Sequence, residues 1–115
     1  YNGLWNGKYI DFEAKETNSA TSFSLSNIHD HQIDHMTKIL NQGGISFIIF
    51  LFKKIDKKIV MPFKKFLFFN ERALNGGRKS IKLSEFEEVA FEISFHYKVR
   101  LDYLNIIKNN ESEFY

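Results

Sequence analysis

The sequence has no cysteine, a single proline and a single tryptophan among its 115 residues. Without cysteine the chain can form no disulfide, no thiolate zinc cluster and no thiol nucleophile. This composition fits a reducing compartment, so we expect a cytoplasmic protein. Long hydrophobic runs are also lacking, because the longest one, at 45–52, is far shorter than the roughly 20 residues that cross a bilayer. We therefore expect no membrane segment.

The amino terminus lacks an initiator methionine and the basic-then-apolar pattern of a signal peptide. We therefore expect the chain to be the later portion of a longer protein. Its length suits one domain over residues 1–115, since two halves would each be too small for an independent core. The hydrophobic content of 43% and the charged content of 26% are typical of globular domains and exclude a wholly disordered or fibrous chain.

Opposite charges are concentrated in different parts of the sequence. Residues 1–52 carry a net charge of −2, residues 53–82 carry +8 and residues 83–115 carry −4, although the whole chain carries only +2. A phosphate backbone is one partner that the basic segment would suit. The competing interpretation is a solvated rim that keeps an apolar hairpin soluble.

The spacing of apolar residues predicts a strand, a helix and a hairpin in the first half of the chain. Residues 8–16 alternate between apolar and polar side chains, which is typical of a half-buried strand. Residues 26–42 have helical spacing and are followed by a Gly-Gly pair that can stop a helix. The apolar run 45–52, a polar turn and residues 59–62 predict two strands joined as a hairpin.

Shorter elements are predicted in the second half. A helix over about 63–74 follows the single proline, and Ser84 begins a capping box that opens another short helix. Residues 90–95 fit an edge strand, residues 102–108 fit a final helical turn or two, and residues 109–115 fit a loose tail. Together these elements predict an α/β or α+β domain with a mixed β-sheet flanked by helices.

The first predicted strand carries the clearest chemical signal. Glu13 and Lys15 are two residues apart, so they point to the same face and their Cα atoms lie roughly 6.5–7 Å apart. A carboxylate can bind a hard cation such as Mg²⁺, and a neighbouring ammonium group can stabilise phosphate charge during phosphodiester hydrolysis. Charged residues at this spacing are also common on solvated strands, so the pair by itself leaves simple exposure open.

Six blocks of sequence, in order and with compatible spacing, extend over nearly the whole chain: DFEAKET (11–17), TSFSL (21–25), NIHDHQIDHM (27–36), QGGISFII (42–49), GGRKSI (76–81) and RLDYL (100–104). Together they resemble the RecU family of Holliday-junction resolvases. The resemblance implies the restriction-endonuclease-like fold of the PD-(D/E)xK nucleases. It also implies a structure-specific endonuclease that resolves four-way DNA junctions in recombination and repair.

The resemblance further implies a magnesium site. Glu13 matches the second acid of the family motif, which makes it an expected Mg²⁺ ligand, and Lys15 matches the motif lysine that stabilises the transition state. Gln32 matches a glutamine that contributes to the metal site from the following helix, and an amide oxygen is a suitable Mg²⁺ ligand.

Contacts with DNA and a second subunit are also implied. Thr17, Arg78 and Lys79 are the residues that we expect to meet DNA phosphates. A homodimer is expected because the two opposed strands of a junction must each meet one site.

One part of the family motif falls outside this sequence. Its first aspartate would stand immediately before Tyr1, and Asp11 is expected to offer only an outer-sphere contact. We therefore expect the metal site to be incomplete in this chain and the fragment alone to cleave poorly. Restoring the upstream residues should restore Mg²⁺-dependent cleavage. We also expect the family's projecting stalk and basic amino-terminal arm to fall outside this sequence.

Three other functions compete with this one. His31 and His35 have the i, i+4 spacing of some zinc peptidases, but Asp34 stands where that pattern has glutamate, and these histidines could equally cap the helix or pack beside the sheet. A non-catalytic DNA-binding module would bind phosphate through the basic segment. A pure interaction domain would use exposed members of the 13 phenylalanines.

Overall fold

The computed structural model describes residues 2–5, 7–93 and 106–114. Its strands and helices are, in chain order, β1 (Asn2–Trp5), β2 (Lys8–Thr17), β3 (Ser22–Ser24), α1 (Asp30–Asn41), β4 (Ile45–Phe52), β5 (Lys57–Pro62), α2 (Phe63–Leu74), β6 (Ser80–Lys82), α3 (Leu83–Val89), β7 (Phe91–Glu92) and α4 (Glu111–Phe114). Residues 106–109 are also helical. Among the described residues, no helix is long and apolar enough to span a lipid bilayer.

A five-stranded mixed sheet forms the centre of the molecule, with the strand order β1-β2-β4-β5-β7. Strands β2 and β4 pair in parallel, and the other neighbours pair antiparallel. Strands β3 and β6 form a separate two-stranded sheet. The mixed sheet with helices packed against it confirms the predicted fold class.

Helix α1 connects the two parallel strands, so it runs antiparallel to both of them. Its carboxyl-terminal end lies beside the start of β2, where Lys8 Nζ donates a hydrogen bond to the carbonyl of Gly43 at 3.5 Å. The next residue, Gly44, lies so close to β2 that an added Cβ would be 2.9 Å from the carbonyl oxygen of Tyr9. The amino-terminal end of α1 therefore lies toward the end of β2.

Apolar side chains cover both faces of the sheet because β4 is apolar along nearly its whole length. On the face that carries α1, α2 and α3, Phe50 and Phe52 pack edge-on against Phe86 at ring-centroid distances of 4.8 and 5.3 Å. On the opposite face, Phe47 packs edge-on against Phe114 at 6.1 Å. The sheet is thus buried between two apolar layers.

Most of the strongly periodic segments have the predicted structure. The strand predicted over 8–16 is β2, the hairpin predicted over 45–62 is formed by β4 and β5, and the helix predicted over 63–74 is α2. Strand β1 was not predicted from the sequence, and neither was the small sheet of β3 and β6.

The predicted start of α1 at Ser26 was wrong by four residues. The helix begins at Asp30, because Leu25–Asn27 forms a 3-10 turn and Ile28 is extended. The side chain of Ile28 is nevertheless buried in the core. The apolar spacing therefore extended beyond the helix and gave a start that was too early.

Two predictions in the second half also need correction. Ser84 does not cap α3, because Lys82 is the N-cap and its backbone N–H donates to Glu85 Oε1 at 3.0 Å. The tail is not loose, since α4 is helical and Phe114 is fully buried. The edge strand predicted over 90–95 is present as β7 in its described part. Residues 94–105 lie outside the described residues, and they include the start of the helix predicted over 102–108.

Candidate functional site

One face of β2 carries most of the residues that the sequence singled out. Asp11, Glu13, Lys15 and Thr17 alternate along the strand, so their side chains point to the same face. Their β4 partners include Ser46, and the face is the one against which α1 packs. Asp11 is buried, whereas the other three are half-buried.

The second half of β2 is an open edge within the described part of the chain. Strand β1 pairs with residues 8–11 only, so residues 12–17 are paired with β4 alone among the described residues. Glu13 and Lys15 lie in this part, and their side chains form no hydrogen bond or ion pair with any residue that the structure describes. Both side chains are half-buried on the face of β2 that packs against α1.

Asp11 joins the same strand face to helix α1. Its Oδ2 atom lies 2.8 Å from Nε2 of His35, but the contact lacks the geometry of a hydrogen bond, and Oδ2 has no hydrogen-bond partner among the described residues. The His35 side chain is 57% exposed, whereas the Asp11 side chain is only 6% exposed. The contact therefore pairs a buried carboxylate with a ring that faces solvent.

Gln32 lies one turn before His35 on α1. Residues three apart lie on the same side of a helix, about 4.5 Å apart along its axis. Because α1 runs antiparallel to β2, the step from His35 back to Gln32 has the same direction as the step from Asp11 to Glu13. Gln32 is thus at the level of Glu13.

The Gln32 side chain has one identified hydrogen bond. Its Oε1 accepts the backbone N–H of His29 at 3.1 Å, which helps to cap the amino-terminal end of α1. A carbonyl oxygen has two lone pairs. One lone pair of Oε1 thus remains for a further donor or a cation.

The histidines of α1 are not gathered around a common point. The rings of His29 and His31 stack at a centroid distance of 5.7 Å, and His35 instead contacts Asp11. In the part of the chain that the structure describes, no group of three or more His, Cys, Asp or Glu residues could hold a metal ion. This arrangement gives no support to the zinc-peptidase hypothesis.

Arg78 and Lys79 lie in the exposed connection between α2 and β6. The backbone of this connection is tied to the segment after β2, because β6 pairs with β3 and the N–H of Leu25 donates to the carbonyl of Lys79 at 3.1 Å. Lys79 lines an open pocket together with His29 at the start of α1. The predicted phosphate-binding cations therefore lie near the amino-terminal end of the helix that carries Gln32.

Thr17 ends strand β2 on the same face as Glu13 and Lys15. Its Oγ1 accepts the backbone N–H of Ser19 at 3.2 Å. The hydroxyl thus shapes the turn that leaves the strand, and it retains its own proton to donate.

Several cations of the basic segment 53–82 are paired with carboxylates. These pairs are Lys53 with Glu16 at 2.9 Å, Lys57 with Glu87 at 3.9 Å, Lys65 with Glu113 at 3.5 Å, and Arg72 with Glu85. All four carboxylates come from the two acidic flanking segments. The charge separation along the sequence is thus partly cancelled in the fold, which weakens the DNA-binding hypothesis that depends on the whole segment.

The hypothesis of an aromatic interaction surface has little support. Among the described residues, Phe68 is the exposed phenylalanine, at 65%. Of the other large exposed side chains there, Leu74 lies on α2 with Phe68, and Leu4 and Tyr9 are paired across β1 and β2.

Sequence reasoning missed the pairing of Asp11 with His35. It assigned Asp11 an outer-sphere contact and treated His35 as a zinc ligand or a packing residue. The connectivity was one signal, because a helix between two parallel strands must run antiparallel to them. It predicts the direction of α1 relative to β2, but not the register that brings the two residues into contact.

Comparisons with known proteins give a consistent result. The family model described as RecU, Recombination protein U, matches residues 1–109. A Holliday junction resolvase RecU from Listeria innocua is 50% identical over 107 residues, which are 93% of this chain and 53% of that protein. The proteins of the same name from Bacillus subtilis and Staphylococcus aureus are 47% and 45% identical, over 94% and 93% of this chain and 52% and 51% of their own lengths. The chain therefore spans about half the length of these relatives.

Proposed function

Because this chain belongs to the RecU family, we propose that it forms the nuclease part of a Mg²⁺-dependent endonuclease that resolves four-way DNA junctions in recombination and repair. The observation that carries this proposal is the face of β2. Glu13 and Lys15 point to the same face of the sheet, and α1 lies against this face, where His35 contacts Asp11.

Glu13 and Gln32 are the residues that would hold the metal. Both offer oxygen atoms, which Mg²⁺ prefers over nitrogen and sulfur. Glu13 has no partner among the described residues, and Gln32 Oε1 keeps a lone pair beside its bond to His29. When bound, Mg²⁺ supplies Lewis-acid stabilisation of the phosphate and makes water a better nucleophile at neutral pH.

Lys15 has a separate role in this proposal. Its ammonium group is two residues beyond Glu13 on the same strand face, where it can stabilise the negative charge that develops on the phosphate oxygens during attack. Since no ion pair with a described residue holds Lys15 elsewhere, its positive charge is available to the substrate.

The β1–β2 register supports the expected first carboxylate of the motif. Asn2 pairs with Asp11 and Gly3 pairs with Ile10. Each step back along β1 therefore corresponds to one step forward along β2. An antiparallel strand that continued upstream in this register would pair the residue immediately before Tyr1 with Glu13. Directly opposed residues share a face of the sheet, so an aspartate at that position would complete the oxygen ligands beside Glu13.

Junction resolution also needs two cuts in opposed strands. We therefore propose a homodimer with one site in each subunit. Light scattering of the full-length protein should give twice the mass of one chain, and a monomer that still cuts both strands would contradict this arrangement.

The central experiment measures cleavage of a labelled four-way junction by the full-length protein in Mg²⁺. Glu13→Gln and Lys15→Ala should each reduce the cleavage rate by about 100-fold or more. Binding of the junction in Ca²⁺ should persist in both variants, because neither change removes the fold or the phosphate-binding surface.

The matched control is Glu16→Gln on the same strand. Glu16 points to the opposite face and pairs with Lys53 at 2.9 Å, so its loss should leave cleavage nearly unchanged. Equal rates for Glu13→Gln and Glu16→Gln would reject the proposed site.

A further inference from the structure

Asp11 is a buried polar residue whose carboxyl group contacts α1. The residue is only 4% exposed, and a polar group removed from water loses its solvation unless other polar groups replace the water. The nearest polar group from α1 is His35, whose Nε2 lies 2.8 Å from Oδ2. The buried carboxyl group thus joins the strand to the helix through this contact.

This contact fixes the position of α1 along β2. Helix packing alone permits small sliding movements, whereas a polar contact at 2.8 Å is lost when the helix moves by about one or two ångström. The second tether of the helix, from Ser46 Oγ to the carbonyl of Met36 at 3.0 Å, comes from β4 rather than β2. The contact between Asp11 and His35 therefore joins β2, the strand that carries Glu13, directly to the middle of α1.

The position of Gln32 relative to Glu13 depends on the same contact between Asp11 and His35. Gln32 is one helical turn from His35, and Glu13 is two residues from Asp11 in the corresponding direction. A shift of α1 along its axis would separate the amide of Gln32 from the carboxylate of Glu13. Outer groups that orient metal ligands commonly change metal affinity when they are removed.

We propose that Asp11 and His35 are positioning residues that hold the Gln32 amide beside Glu13 and thereby set the affinity of the site for a divalent cation. The inference rests on the proposed function, because it assumes that Glu13 and Gln32 hold the cation. Neither Asp11 nor His35 is required to touch the metal or the DNA.

The test is Mn²⁺ binding to the full-length protein, followed by the electron paramagnetic resonance signal of free Mn²⁺. His35→Ala should weaken Mn²⁺ binding by about tenfold. His35→Gln should restore most of that affinity, because its amide N–H can donate to Asp11. Rescue of this kind is not expected if His35 only fills space.

The matched control is Ser46→Ala, which removes the other tether of α1. It should lower the melting temperature, as His35→Ala does, but leave Mn²⁺ affinity near that of the wild type. The double variant Asp11→Asn/His35→Ala removes the buried charge together with its partner. It should therefore fold even if the single variant does not, and it should show the same weakened binding.

The outcomes separate this inference from the proposed function. If His35→Ala and the double variant bind Mn²⁺ as the wild type does, while Glu13→Gln loses binding, the positioning role is rejected and the metal site stands. If Glu13→Gln also binds Mn²⁺ as the wild type does, the metal site itself is wrongly assigned and both proposals fail.

Discussion

At the scale of single residues, the best-defined charged contact is between Arg72 of α2 and Glu85 of α3. The guanidinium donates to both carboxylate oxygens, with 3.2 Å between Nη2 and Oε1, and lies 5.0 Å from the centroid of the Phe69 ring. Hydrogen bonding from Arg72 is the main reason that the pKa of Glu85 lies below its ordinary value of 4.5, and burial opposes it. The side chains are 27% and 23% exposed, so the pair should contribute more than a surface ion pair.

We expect Glu85→Gln to lower the free energy of unfolding by about 2 kcal/mol at neutral pH. An acid whose pKa is depressed by folding stabilises the protein fully above its unfolded pKa and loses this effect as the pH falls through the folded value. The difference between wild type and variant should therefore shrink below about pH 4.5. Urea denaturation of both proteins at a series of pH values measures this difference in the free energy of unfolding.

The control for this prediction is Glu87→Gln. Glu87 is 61% exposed and 3.9 Å from Lys57, so its loss should change stability little at any pH. If the Glu85→Gln difference stayed constant as the pH fell, the contribution of Glu85 would not depend on its charge.

At the scale of elements, the connection between α2 and β6 presents two cations from a fixed backbone. The β3–β6 pairing and the hydrogen bond from Leu25 to Lys79 hold this connection beside the start of α1. Arg78 and Lys79 are both exposed and form no salt bridge with the described residues. Cations held in this way can contact phosphates without a large loss of backbone freedom on binding.

We expect Arg78→Ala/Lys79→Ala to weaken junction binding and to make it less sensitive to salt. The slope of log affinity against log salt concentration should fall by about one for each phosphate that the variant no longer neutralises. Fluorescence anisotropy with a labelled junction at several salt concentrations measures both quantities.

The comparison variant is Lys57→Ala/Lys65→Ala, which removes the same formal charge. Lys57 and Lys65 already lie near the carboxylates of Glu87 and Glu113, so their removal should change the salt slope less. An equal change in both double variants would indicate that net charge, rather than the position of Arg78 and Lys79, controls binding.

At the scale of the whole molecule, the carboxyl-terminal residues complete the second apolar layer. Phe114 is fully buried and packs against Phe47 at 6.1 Å and Phe91 at 6.0 Å. Ile107, which is also fully buried, belongs to the same layer. The described carboxyl-terminal residues thus pack on the sheet face opposite the one that carries α1.

We expect Phe114→Ala to lower the free energy of unfolding by about 3–5 kcal/mol, since it removes a large ring from a packed core. The control is Phe68→Ala, because that ring is 65% exposed and its removal should cost far less. Urea denaturation compares the two variants. Similar losses would show that α4 does not pack on the sheet as described.

Local pattern was enough to predict the elements that carry the proposed site. Strict alternation gave β2 and put Glu13 and Lys15 on one face, and the spacing before the Gly-Gly pair gave most of α1, with Gln32 on it. These features depend on residues close together in the chain, whose side-chain directions follow from strand and helix periodicity. The identity of the family was also present in the order of the sequence blocks.

The tertiary structure alone decided what lies beside these elements. The contact between Asp11 and His35, the pairing of basic with acidic segments, and the packing of Phe114 on β4 all join residues far apart in sequence. Such contacts depend on the register and direction in which elements pack, and composition and periodicity do not encode either one directly. The sequence therefore determined which groups share the face of β2, and the packing of α1 determined what stands opposite them.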